Sequence, residues 1–179
     1  MSRVGKVPVK IPPKVKVKLE GQRLTVEGPN GTLSREFPAE VEIIVENDEI
    51  RVTPRVGTRQ ARAYHGLVRA LINNMVTGVH TGFTKELQIV GTGYRAELKK
   101  DVISLSLGYS HPVEFKLPQG VKATVDKQTV IKLESADKEI LGLTAARIKA
   151  LRPVEPYKGK GIRYVGEEVR RKVGKAGGK

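Results

Sequence analysis

The chain of 179 residues predicts an α+β fold made of two tandem similar domains, each a small antiparallel sheet packed against one helix, followed by a basic C-terminal tail. Three observations predict it. Apolar residues alternate with polar ones over short runs, the period of a half-buried strand. Glycine, proline and Asn-Asp clusters punctuate those runs into hairpins. And the two halves repeat each other at a shift of about eighty residues.

The repeat is read from aligned segments. LTVEG (24–28) faces SLSLG (104–108), VEIIV (41–45) faces VKATV (121–125), and Arg69-Ala70-Leu71 faces Lys149-Ala150-Leu151. Two copies of so long a unit make two domains rather than a solenoid, which needs shorter units and at least three of them. The expected division is 1–82 for the first α+β domain, 83–165 for the second, and 166–179 for the tail.

Within the first unit, Val15, Val17 and Leu19 point to one face and Lys14, Lys16 and Lys18 to the other. Gly-Pro-Asn-Gly at 28–31 and Asn47-Asp48 mark turns. A helix is expected after Thr58, a good N-cap, with Ala63, Leu67, Ala70 or Leu71 and Met75 on its apolar stripe and its end near Gly78 or Gly82. In the second unit Ile103, Leu105 and Leu107 alternate with serines, and Pro118-Gln119-Gly120 makes a turn. The second helix is expected over 137–151, with Ile140, Leu143 or Thr144, Ile148 and Leu151 as its stripe and Pro153 as its stop. Beyond Pro153 the chain is expected to leave the strand and helix pattern and to end in a mobile KAGGK.

Composition narrows the function. The absence of cysteine excludes a disulfide framework, a thiolate metal site and a cysteine nucleophile. The longest apolar runs are far too short to cross a bilayer, so a soluble cytoplasmic protein without membrane association is expected. The net charge of +14 is carried by the two ends. Residues 1–18 hold six basic residues and no acid, residues 147–179 hold eleven against three acids, and the stretch between is balanced. Positive charge gathered in this way suits a polyanion partner.

Motifs with enzymatic overtones dissolve on inspection. GTGYRA (91–96) satisfies a dinucleotide fingerprint, but that loop must open a helix whose amides hold the pyrophosphate, and here the chain runs on in strand-like alternation. GYSHP (108–112) lacks the second glycine of a nucleophile elbow, and adjacent strand residues Ser110 and His111 face opposite ways. His65, His80 and His111 have no metal-ligand spacing. No enzyme, catalytic residue, metal, cofactor or small-molecule substrate is therefore expected.

What remains is PYKGKGIRYV (156–165). Lys158, Lys160 and Arg163 offer phosphate partners, Gly159 and Gly161 leave the backbone bare, and Tyr157 and Tyr164 can stack on bases. Arg170, Arg171, Lys172, Lys175 and Lys179 extend the positive track. A DNA-binding architectural or nucleoid protein is the alternative that the same charges would serve.

With MSRVGKVPVKIP, HGLVRALINNMVTGV, GTGYRAELK, LGYSHPV, ADKEILGLTAARIKALRP and EPYKGKGIRY in that order, nearly the whole chain resembles the bacterial large-subunit ribosomal protein six family. The resemblance implies a duplicated α+β fold and binding to large-subunit rRNA through the second domain and tail. It further implies a place near the stalk base where translation factors dock, with neighbouring ribosomal proteins as partners. Tyr157, Lys158, Gly159, Lys160, Gly161 and Arg163 match the family's block, whereas Arg170, Arg171, Lys172 and Lys175 are RNA-contact candidates by charge alone.

Overall fold

The computed structural model describes residues 2–46 and 48–175. The chain divides into two compact units, Met1–Phe83 with Ala136–Lys138, and Thr84–Ser135 with Glu139–Lys179. Of the described residues, 166–175 cluster with the second unit.

Unit 1 is built from β1 (Val9–Lys10), β2 (Lys16–Glu20), β3 (Arg23–Gly28), β4 (Gly31–Glu36), β5 (Val41–Glu46), β6 (Glu49–Pro54) and α1 (Arg59–His80). Its strands form two antiparallel sheets, β1-β6-β5 and β2-β3-β4, where one sheet was expected. The lysine-rich face of β2 is exposed while Val17 and Leu19 pack on the core. Pro29-Asn30 turns β3 into β4 between the paired Gly28 and Gly31. Of the Asn47-Asp48 turn between β5 and β6, Asn47 lies outside the described residues.

α1 begins where its cap predicts, with Thr58 Oγ1 accepting from the Ala61 amide at 3.2 Å. It ends at Thr81 with Gly82 at φ 78°, where the Gly82 amide donates to the Gly78 carbonyl at 3.0 Å. Its buried stripe is Ala61, His65, Val68, Ile72, Met75, Val76 and Val79. Of the expected stripe only Met75 is buried, with Ala63 and Leu67 exposed and Ala70 and Leu71 half-buried. Its apolar residues spread well beyond the buried stripe, to Ala63, Leu67 and Leu71, so spacing alone leaves the helix's rotation about its axis undetermined. The stripe packs with Leu24, Val26, Ile43, Ile50 and Val52 in one core.

Unit 2 repeats the plan. β7 (Phe83–Val90), β8 (Arg95–Lys99), β9 (Val102–Ser106), β10 (Val113–Lys116), β11 (Val121–Asp126), β12 (Val130–Ser135) and α2 (Lys138–Leu151) follow the order of unit 1. Sheet β10-β9-β8 matches β4-β3-β2, and β11-β12-β7 matches β5-β6-β1. α2 buries Leu141, Thr144, Ala145 and Ile148; of the expected stripe Ile148 and, of the pair Leu143 or Thr144, Thr144 lie inside, Leu151 is half-buried, and Ile140 is exposed, as is Leu143.

Among the described residues, one strand has no counterpart in unit 1. β13 (Gly161–Tyr164) pairs antiparallel with β7, Ile162 opposite Ile89 and Arg163 opposite Gln88, making the larger sheet four-stranded. Its Ile162 is fully buried. The expectation that the chain leaves the sheet pattern after Pro153 is thus corrected: the GIRY half of the basic block is a core-bearing strand. Of the expected mobile KAGGK, residues 176–179 lie outside the described residues.

Candidate nucleic-acid interface

Pro153 prevents α2 from continuing, and the chain makes a nine-residue excursion, 152–160, before returning as β13. Glu155 closes that excursion with three groups. Its amide donates to the Lys160 carbonyl at 2.8 Å, its carbonyl accepts from the Gly159 amide at 3.0 Å, and its Oε2 accepts from the Lys158 amide at 3.1 Å. The Ile162 amide then donates to the Arg152 carbonyl at 2.9 Å, clamping the base of the loop. A loop with its backbone groups satisfied internally is ordered before any partner arrives.

The two glycines of the block are buried and make room for protein. Gly161, at φ 141°, lies so close to the Arg152–Val154 backbone that a Cβ would meet the Pro153 carbonyl oxygen at 2.7 Å. Gly159, at φ 72°, faces the Arg171 guanidinium, 3.2 Å from the position of its missing Cβ. The Lys172 amide donates to the Pro156 carbonyl at 2.8 Å. Residues 171 and 172 therefore lie against the loop.

This folding sorts the sequence-predicted residues. Tyr157 is 55% exposed at the loop tip beside exposed Lys158, and Arg170, Arg171, Lys172 and Lys175 are also exposed. Lys160 is half-buried. Arg163 is half-buried too and donates to Gln88 Oε1 at 3.3 Å across the β13–β7 pair. Tyr164 lies with the ammonium of Lys149 4.8 Å and that of Lys85 5.4 Å from its ring centre. Loop tip and following segment gather five exposed cations, and Arg163 belongs to the support beneath them.

Two acids organise the site, and charge counting passed over both. Glu155 is the hub of the loop. Glu167 accepts from Lys149 Nζ at 2.6 and 2.7 Å and from the Tyr164 amide at 3.0 Å. The Lys149 hydrogen bond, then the Tyr164 amide, holds its carboxyl below the usual carboxylate range. Short E-x-x-K and Y-x-x-E spacings were the available signals, lost among the cations.

GTGYRA leads into β8, not into a helix. Among the described residues no cluster of three His, Cys, Asp or Glu side chains is placed to hold a metal. No helix of the described residues is long and apolar enough to cross a membrane. The chain is a protein of duplicated α+β units, the second of which presents a cationic, ordered edge.

Comparison with known proteins narrows that class. The family model for ribosomal protein L6 matches residues 11–82 and again 90–165, one match in each half. The large ribosomal subunit protein uL6 of Syntrophobacter fumaroxidans is 56% identical over 179 residues, covering 100% of this chain and 99% of that protein. The protein of the same name from Desulfatibacillum aliphaticivorans is 54% identical over 177 residues, 99% of each chain. That from Chloroherpeton thalassium is 51% identical over the whole of both chains. The chain belongs to the ribosomal protein L6 family, a family of structural ribosomal components rather than enzymes.

Proposed function

We propose that the chain is a constituent of the large ribosomal subunit in the cytoplasm and binds large-subunit rRNA through the loop 155–160 and the segment 170–175 of unit 2. The observation that carries this reading is the ordered loop. Glu155 and β13 hold Tyr157 and Lys158 outward while Arg171 and Lys172 are laid alongside. Such an edge neutralises phosphates from several directions at little ordering cost, which suits folded RNA. Tyr157 is free to stack on a base, and the exposed cations pair with backbone phosphates. Unit 1, with its balanced strands and separate core, acts as a rigid body that neighbouring ribosomal proteins and RNA enclose. The resemblance of the block EPYKGKGIRY further supports a position near the stalk base, beside docking translation factors.

The test is competition between folded large-subunit rRNA and duplex DNA for the intact chain and for a variant with Lys158, Arg170, Lys172 and Lys175 replaced by Gln. Truncation after Arg152 is the wrong tool, because it removes β13 and buried Ile162. The ribosomal reading expects a strong preference for rRNA that the variant loses. Equal binding of both polyanions would favour the architectural DNA-binding alternative.

A further inference from the structure

The two glycine motifs that fail as enzyme signatures converge on one place. The ring of Tyr94, from GTGYRA, fills the space that side chains at Gly91 and Gly108 would occupy, 2.5 and 3.0 Å from the positions of their missing Cβ atoms. Tyr109, from GYSHP, donates its hydroxyl to the Leu151 carbonyl at 2.9 Å and remains 45% exposed. The guanidinium of Arg152 lies 4.8 Å from the Tyr109 ring centre. The hydroxyls of Tyr109 and then Tyr94 interact with that guanidinium and hold its proton more firmly than usual. With Pro153, Glu155 and Lys160 these side chains line a cavity of about 400 Å³.

Each wall has a distinct chemistry. The Arg152 guanidinium, laid over the ring of exposed Tyr109, presents with it a stacking surface for a flat heterocycle. Arg152 is a fork fixed in place before a ligand arrives, suited to two phosphate oxygens, and Lys160 adds a second positive charge. The Glu155 carboxylate accepts one backbone amide and retains lone pairs for an N–H donor. Stacking surface, phosphate clamp and acceptor together are the requirements of a nucleotide, and the volume lies within the range of small-ligand sites. A simple anion would have no use for the tyrosine or the carboxylate.

We propose that this cavity receives a single unpaired nucleotide of the bound RNA, its base stacked on the Tyr109–Arg152 pair, its phosphate on Arg152 and Lys160, and a base N–H on Glu155. The inference rests on the RNA-binding reading of the adjacent loop, which shares Glu155 and Lys160 with the cavity. It makes the site selective for RNA with an extruded nucleotide over uninterrupted duplex. Tyr94, Tyr109 and Arg152 then join the interface, and Gly91 and Gly108, one from each motif, leave the space that Tyr94 fills.

The experiment compares the full chain on two RNA hairpins identical except that one carries a single looped-out nucleotide. The wild type is expected to bind the interrupted hairpin about tenfold more tightly. Tyr109→Leu is expected to abolish that difference, and Tyr109→Phe, which keeps the ring, to preserve it. A 2-aminopurine at the looped-out position supplies a readout on the wild type alone: its emission falls on binding if it stacks. Equal affinity for the two hairpins, unchanged emission in the complex, or a preference that survives Tyr109→Leu would overturn the nucleotide pocket while leaving RNA binding by the loop intact. Failure of the wild type to bind either hairpin or folded rRNA would overturn both.

Discussion

The two units share one plan of strands and differ chiefly at one sheet edge. In unit 1 the outer strand β1 is two residues long, and in the second its counterpart β7 is eight. Only the longer edge is extended, by β13, and that strand delivers the basic loop and segment to the surface. A short edge strand is one way in which a sheet refuses further pairing, whereas a long one invites it. Duplication supplied two scaffolds, and pairing one extra strand to one of them turned a basic C-terminal segment into an ordered surface.

The largest effect should come from undoing that strand. Ile162→Ala removes a fully buried side chain, and a loss of about 2–5 kcal/mol is expected in denaturant titration. Gly161→Ala should also destabilise, since its Cβ would press on the Pro153 carbonyl at a positive φ. If either variant matches the wild type in stability, β13 is not part of the core.

Charge removal sharpens the contrast between the units. Replacing Lys158, Arg170, Lys172 and Lys175 with Gln should weaken rRNA binding and reduce the log-log salt slope by about 3. Replacing Lys10, Lys14, Lys16 and Lys18 in unit 1 should change the slope far less. Equal effects would mean that net charge, not placement, governs affinity.

Smaller effects probe local devices. Thr58→Ala removes the cap of α1 and should cost about 1 kcal/mol by thermal or chemical melting. Glu167 links α2 to β13 through Lys149 and the Tyr164 amide, and its folded-state pKa is depressed. Its contribution is therefore present above the ordinary carboxylate pKa and is lost as pH falls through the lower folded value. The melting temperature of Glu167→Gln should lie below that of the wild type at neutral pH, and the gap should close in acid.

Much of the fold was legible because alternation and punctuation are local. Val15-Lys16-Val17-Lys18 reads as a strand by itself, and Thr58 and Gly82 bracket α1 without help from the rest of the chain. Three features were not local. The rotation of α1 depends on which of many apolar residues meets the sheets, so spacing points Ala63 and Leu67 inward where the fold buries Val68 and Ile72. β13 is four residues between glycines, and only its pairing with a strand more than seventy residues earlier makes it a strand. Within the candidate site, the exposed cations were visible as charge, but Glu155 works through its backbone and Arg163 through Gln88. Tyr94, Tyr109 and Arg152 were hidden for a related reason, since each lies in a separate segment and only folding joins them.

On the proposed reading one ordered edge of unit 2, not charge spread over the chain, grips rRNA. Ultraviolet cross-linking of the wild-type chain to large-subunit rRNA, followed by mass spectrometry of the attached peptides, tests it most directly. Cross-links concentrated in residues 153–175, with Tyr157 foremost, are the predicted result. Cross-links concentrated in residues 1–18, or distributed evenly over both units, would contradict it.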